Sequence, residues 1–137
     1  MTPSINLTSY RHADWGGSDG SEIVAFLGED LTQAHFAWSF ADRAGGNVLL
    51  TLEATTEGLQ GLVARYEPDY VHPVSGAVVG ATLLIPQIDR ETLLALDTPG
   101  ETGADIVLFH TLYLTRDSGL KHAEFAGNFR IMQGAPN

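Results

Sequence analysis

The last third of the chain constrains the fold most. The run Ile106-Val107-Leu108-Phe109-His110-Thr111-Leu112-Tyr113-Leu114-Thr115 is dense in β-branched and aromatic residues, the types that fit a pleated, half-buried surface. Arg116-Asp117-Ser118-Gly119 interrupts it. Four residues ending in Gly suit a hairpin loop built on a type I turn, with Gly taking the φ > 0 position. Residues 120–132 return with alternating polarity. Ala123, Phe125, Gly127, Phe129 and Ile131 fall on one face, and His122, Glu124, Asn128 and Arg130 on the other. A long hairpin of this kind predicts an all-β domain.

The rest of the chain agrees. In residues 32–41, Phe36, Trp38 and Phe40 share one face at period two and His35, Ala37 and Ser39 the other, the pattern of a half-buried strand with Trp38 in the core. Shorter strands are expected at 23–27, 48–54, around Leu62-Val63-Ala64, and at 78–85, with Gly80 at a bulge and Ile85-Pro86 at the strand end. Residues 67–73 read as loop, because Pro68 and Pro73 bias the residues before them away from helix. Residues 87–96 are the one helical stretch, with Asp89 as its cap and Thr92 leaving the capping box incomplete. Ile88, Leu93 and Leu96 are expected to plug one open end of the core. Residues 1–22 carry three glycines and no sustained periodicity, so they read as an N-terminal arm or loop. That leaves residues 23–137 as a single domain. About seven short strands separated by turn signals predict an immunoglobulin-like β-sandwich with one short helix; a small β-barrel is the alternative.

Composition narrows the function classes. At 137 residues the chain is one domain by length, large enough to bury roughly two-thirds of its unfolded surface. It contains no Cys, which removes disulfide scaffolds, thiol nucleophiles and Cys-ligated metal sites. Seventeen acidic residues face seven basic ones, a net charge of −10 whose average field repels nucleic acid and anionic membranes. Arg11, Arg43, Arg65, Arg90, Arg116, Lys121 and Arg130 are scattered, so no local basic patch reverses that. The N-terminus lacks the basic and apolar regions of a signal peptide, and no apolar run approaches the roughly 20 residues that span a bilayer. The expectation is a chain with no nucleic-acid partner and no membrane insertion.

Candidate chemistry is sparse. His12, His35, His72, His110 and His122 show none of the spacings of a local metal motif. His110 and His122 sit in opposite arms of the hairpin, which makes them weak metal candidates if it brings them together; ordinary strand positions are the simpler reading. Asp14, Asp19 and Glu22 in a Gly-rich loop invite a calcium reading, but their spacing is not that of an EF-hand. Gly16-Gly17-Ser18-Asp19-Gly20 matches Gly-x-Ser-x-Gly in letters but reads as a Gly/Ser loop, and no phosphate-binding Gly loop is present. Acidic pairs such as Glu29-Asp30 and Asp89/Glu91 follow from the composition. A non-enzymatic chain with no cofactor is therefore expected, with a metal-dependent hydrolase using His110 and His122 as the remote alternative. Trp15, Tyr66 and Tyr70 fall in expected loops or at their edges, where aromatic side chains anchor a protein interface or stack on a glycan.

The order of features has a further implication. It comprises Phe36-Ala37-Trp38-Ser39-Phe40-Ala41-Asp42-Arg43-Ala44-Gly45, Leu84-Ile85-Pro86, Thr92-Leu93-Leu94-Ala95-Leu96, Pro99-Gly100, Leu112-Tyr113-Leu114-Thr115-Arg116-Asp117-Ser118-Gly119 and Gly127-Asn128-Phe129-Arg130-Ile131. Over about three-quarters of the chain this pattern resembles small β-sandwich proteins of tailed phages, including the N-terminal domains of baseplate and fibre-attachment proteins. The resemblance implies a structural component of a phage or phage-like virion, in a tail, baseplate, neck or spike. It would be located in the virion, or in the cytoplasm before assembly. Its partners would be other particle proteins and further copies of itself, with Trp15, Tyr66 and Tyr70 as contact residues. A carbohydrate-binding module using the same aromatics is the alternative.

Overall fold

The protein is described by a computed structural model that covers residues 3–17, 22–96 and 105–132. Along the described residues the order is β1 (Leu7–Tyr10), β2 (Trp15–Gly16), β3 (Val24–Leu27), β4 (His35–Ala41), β5 (Val48–Leu52), β6 (Gly61–Glu67), β7 (Ala81–Ile88), α1 (Arg90–Ala95), β8 (Ile106–Thr115) and β9 (Lys121–Met132). Two sheets form. One has the order β1-β9-β8-β4-β5; in the other β7 is central, with β6 on one side and β2 and β3 sharing the opposite side. The fold is an all-β sandwich with one short helix and not a closed barrel.

Period-two patterning explains the first sheet. Phe36, Trp38 and Phe40 of β4 turn inward, as do Leu108, His110, Leu112 and Leu114 of β8 and Phe125, Gly127, Phe129 and Ile131 of β9. The loop between β8 and β9 closes by Gly119 N–H to the Arg116 carbonyl (2.9 Å), with Gly119 at φ 86° as the turn requires. Thr115 therefore faces Lys121, and a register shift at Leu112/Tyr113 carries the ladder on to Ile106 opposite Ile131. Residues 97–104 lie outside the described residues, Pro99-Gly100 among them.

The second sheet departs from the sequence reading in two places. β7 starts at Ala81, leaving Gly80 before the strand, and runs through Pro86 to Ile88 instead of ending there. A residue's N–H and C=O leave a strand on the same side. The Pro86 carbonyl accepts from Gly17 N–H (2.8 Å) beside β2, so the missing proline donor points to that side too. It falls between the last β3 pair, at Leu84, and the first β2 pair, at Gln87, and no bond to β6 is lost. β6 is longer than expected and takes Tyr66 into the ladder opposite Thr82.

The expected N-terminal arm is instead woven into both sheets. β1 pairs parallel with β9, Leu7 opposite Phe129 through Tyr10 opposite Met132, and β2 pairs with β7. Between them the chain clamps α1. Asp14 Oδ1 accepts from Arg90 N–H (2.7 Å), and Arg11 Nη2 donates to the Leu94 carbonyl (3.1 Å). Those bonds satisfy helix-end groups that have no partner within the helix. Asp89 stands at the N-cap but makes no side-chain cap bond; its carboxylate accepts from Gln87 Nε2 instead (2.9 Å). Ile88, Leu93 and Leu96 join the core as expected, although Ile88 belongs to β7.

Trp15 is the largest correction. It is not a surface contact residue but 3% exposed in the core. Its ring meets Trp38, Phe40 and Phe129 edge-to-face at centroid distances of 5.8, 6.3 and 5.1 Å, arrangements that suit the ring quadrupoles. Its indole Nε1 has no hydrogen-bond partner among the described residues. Removing such a side chain leaves a cavity, so Trp15→Ala should lower the unfolding free energy by about 3–5 kcal/mol in denaturant titration. A surface Trp15 would give less than about 0.5 kcal/mol.

Candidate functional site

Among the described residues, the connection from β6 to β7 carries the most exposed large apolar side chain, Val74. Residues 68–80 contain the turn formers Pro68, Pro73, Gly76 and Gly80, and also four valines. Backbone bonds set the loop: Tyr70 N–H to the Glu67 carbonyl (3.3 Å), Val79 N–H to the Tyr70 carbonyl (3.0 Å), His72 N–H to the Ala77 carbonyl (2.8 Å) and Gly76 N–H to the His72 carbonyl (3.0 Å). Val71 and Val78 form an antiparallel bridge. At the tip His72 Nδ1 accepts from both Val74 N–H (3.1 Å) and Ser75 N–H (3.2 Å). This frame holds Val71, Val74 and Val78 outward at 52%, 89% and 65% exposure. A bonded loop presenting three β-branched apolar side chains resembles a preformed contact element, since its ordering entropy is already met within the free chain. The signal for it in the sequence is the set of valines between turn formers.

Of the aromatic residues expected to make contacts, Tyr66 and Tyr70 flank this loop and Trp15 is remote in the core. Both tyrosines are half-buried. The Tyr66 hydroxyl lies over Gly80, where a Cβ would collide with it. Tyr66 thus supports the base of the loop, and Tyr70 holds it through its backbone.

The two histidines of the hairpin do not meet. His110 pairs with Gly127, while His122 pairs with Leu114, four residues further along β8 and so about 13 Å away. His122 is exposed and His110 fully buried. The reason is the register: with Thr115 opposite Lys121, equal steps from the loop lead from His122 to Leu114. Among the described residues no three His, Asp or Glu side chains gather as a metal site. Of the calcium candidates, Asp19 lies outside the described residues, and Asp14 caps α1.

His110 instead organises the core. Its Nδ1 lies 3.1 Å from Trp38 Nε1 and its Nε2 2.6 Å from the Ile5 carbonyl oxygen. An indole N–H can only donate, so Nδ1 is the acceptor and the ring proton sits on Nε2, donating to Ile5. The imidazole is neutral and both its nitrogens are satisfied. The rings of Trp38, Phe40 and Phe125 surround it at 5.9, 6.3 and 6.0 Å. Burial holds its pKa below the ordinary histidine range, and the bond to the Ile5 carbonyl offsets part of that. The sequence reading leaves His110 at an ordinary strand position and gives no sign of Ile5 as partner, 105 residues away.

Two further features of the described surface are clefts. One of about 330 Å³ is lined by Glu29, Asp30, Gln33, Arg116, Asp117 and Ser118. Its Arg116–Glu29 ion pair (3.3 Å) is exposed and worth under about 1 kcal/mol. Asp30 there is held below the usual carboxylate range by the Thr32 hydroxyl and then the Thr32 N–H. The other, about 220 Å³, opens between β4 and β6 beside Phe36, Leu62 and Leu84, below the size of ordinary ligand pockets.

Because the folded state lowers the affinity of His110 for a proton, its contribution to stability is complete above the unfolded pKa of about 6.5. It is lost as pH falls from there toward the folded pKa. Chemical denaturation across pH 8 to 5 should show wild type losing up to about 1.4 kcal/mol per pH unit more than His110→Gln below pH 6.5. The two should run parallel above pH 7.

No family model matches the chain, and no curated protein matches it either.

Proposed function

We propose that this protein is a non-enzymatic structural component of a phage or phage-like particle, assembling with other particle proteins through the tip of the β6–β7 loop. The observation that carries the reading is the ordered display of Val71, Val74 and Val78 at the end of a hydrogen-bonded projection. Full burial of a valine contributes about 1.5 kcal/mol or more, so three on one preformed element can anchor an interface. The two-sheet sandwich adds edge strands able to extend onto a neighbour: β5 ends the larger sheet and carries Val48 and Leu49, both exposed. Charge indicates the partner. At net −10, copies of this chain repel one another at long range, and a surface with basic groups around an apolar pocket fits the tip better. The resemblance of the feature order to tailed-phage sandwich proteins supports the particle context. Among the described residues no helix is long and apolar enough to cross a membrane.

Size-exclusion chromatography with light scattering, together with co-sedimentation with particles, tests this. Wild type should associate with particles or form a defined assembly. Val74→Asp should weaken that association at least tenfold while its thermal midpoint stays within about 2 °C, since an exposed position contributes little to the fold. A strict monomer with no particle association at any concentration would contradict the reading.

A further inference from the structure

Residues 3–10 lie along the β9 edge with most of their side chains outside. Ser9 is buried and Leu7 half-buried, while the others are exposed. Their attachment is mainly through backbone: the parallel β1–β9 ladder, Ile5 N–H to the Ala126 carbonyl (2.8 Å) and Ala126 N–H to the Pro3 carbonyl (3.0 Å). Asn128 N–H adds a bond to Asn6 Oδ1 (3.1 Å). An edge segment with so little buried apolar surface belongs at the low end of local stabilities. Its deepest point of entry is the Ile5 carbonyl. That group passes over Gly127, where any Cβ would collide with it, and reaches His110 Nε2.

We propose that residues 3–10 form a proton-coupled latch, docked on β9 while His110 is neutral and released when His110 takes up a proton. The geometry of the docked state sets the coupling. Nε2–H is committed to the Ile5 carbonyl, and Nδ1 accepts from Trp38. A second proton would have to sit on Nδ1, placing donor against donor. The groups facing the ring offer no compensating charge: Trp38 and Phe40 from β4, Phe125 and Gly127 from β9, and Ile5 from the N-terminal segment. None of these is titratable or charged. Undocking removes the lid over Gly127, so water replaces the Ile5 carbonyl as acceptor at Nε2. It also lifts the burial that disfavours an imidazolium, a penalty the one carbonyl offsets only in part. The undocked state therefore binds the proton more readily, and by linkage low pH favours undocking. Release uncovers backbone donors and acceptors of β9 around residues 126–132, an open strand edge of the kind that pairs with another chain.

Residue-resolved amide hydrogen exchange on the full chain tests this, between pH 7.5 and 5 and corrected for intrinsic rates. The opening constant at Ile5, Ala126 and Asn128 should rise by up to about tenfold per pH unit below 6.5, while amides of the β4–β8 ladder keep their protection. In His110→Gln, which supplies a donor and an acceptor without titrating, the slope should vanish. Should that variant not fold, Gly127→Ala gives the second reading. Its Cβ blocks the Ile5 carbonyl, so protection at Ile5 and Asn128 should already be lost at pH 7.5. A flat pH response in wild type, a parallel loss across β4 and β8, an unchanged slope in His110→Gln, or full protection in Gly127→Ala would each overturn the latch.

Discussion

The hydrogen-bond relay from Trp38 through His110 to the Ile5 carbonyl is the interaction on which the architecture turns. Trp38 of β4 is buried on the larger sheet's inner face, and its indole N–H would be an unsatisfied buried donor without an acceptor nearby. An isolated buried polar group of that kind costs about 1–3 kcal/mol. Placing histidine at position 110 of the neighbouring strand supplies the acceptor, and it leaves an imidazole N–H that needs an acceptor in turn. The adjacent position in β9 is Gly127, the residue type without a Cβ, so a carbonyl of the N-terminal segment can enter. Each choice creates the requirement that the next one meets.

This relay explains why a glycine-rich N-terminus becomes part of the sandwich. Once Ile5 is fixed, the next residues continue along β9 as β1. Arg11 and Asp14 reach the two ends of α1, and Trp15 enters the aromatic cluster beside Trp38, Phe40 and Phe129. Residues from both ends of the chain thereby close the same core. The β6–β7 loop stands outside this network. It is tied by its own backbone and by His72, which leaves its valines available without disturbing the packing.

Much of the fold was legible because it rests on local periodicity. The alternation of Phe36, Trp38 and Phe40, and that of Phe125, Phe129 and Ile131, identified inward faces without knowledge of their neighbours, and the polar turn ending in Gly119 gave the hairpin. What escaped depends on contacts distant in sequence. β1 is four residues long and pairs parallel with a strand more than 110 positions away, so no turn signal marks it. The glycines beside Trp15 predict a loop, whereas its environment is set by β4 and β9. Pro86 predicts a strand end, because the gap between β2 and β3 that accommodates it exists only in the assembled sheet. Aromatics in expected loops predict the contact residues, yet the apolar display falls to valines whose outward direction depends on the loop's hydrogen bonds.

The claim that a neutral, Nε2-protonated His110 joins the N-terminal segment to the core is open to one direct measurement. Long-range ¹H–¹⁵N correlation spectra report the tautomer and charge of each imidazole. At pH 6.5, where a free histidine is about half protonated, His110 should show the pattern of a neutral ring with an acceptor-type Nδ1 and a protonated Nε2. An imidazolium pattern at that pH, or a proton on Nδ1, would contradict it.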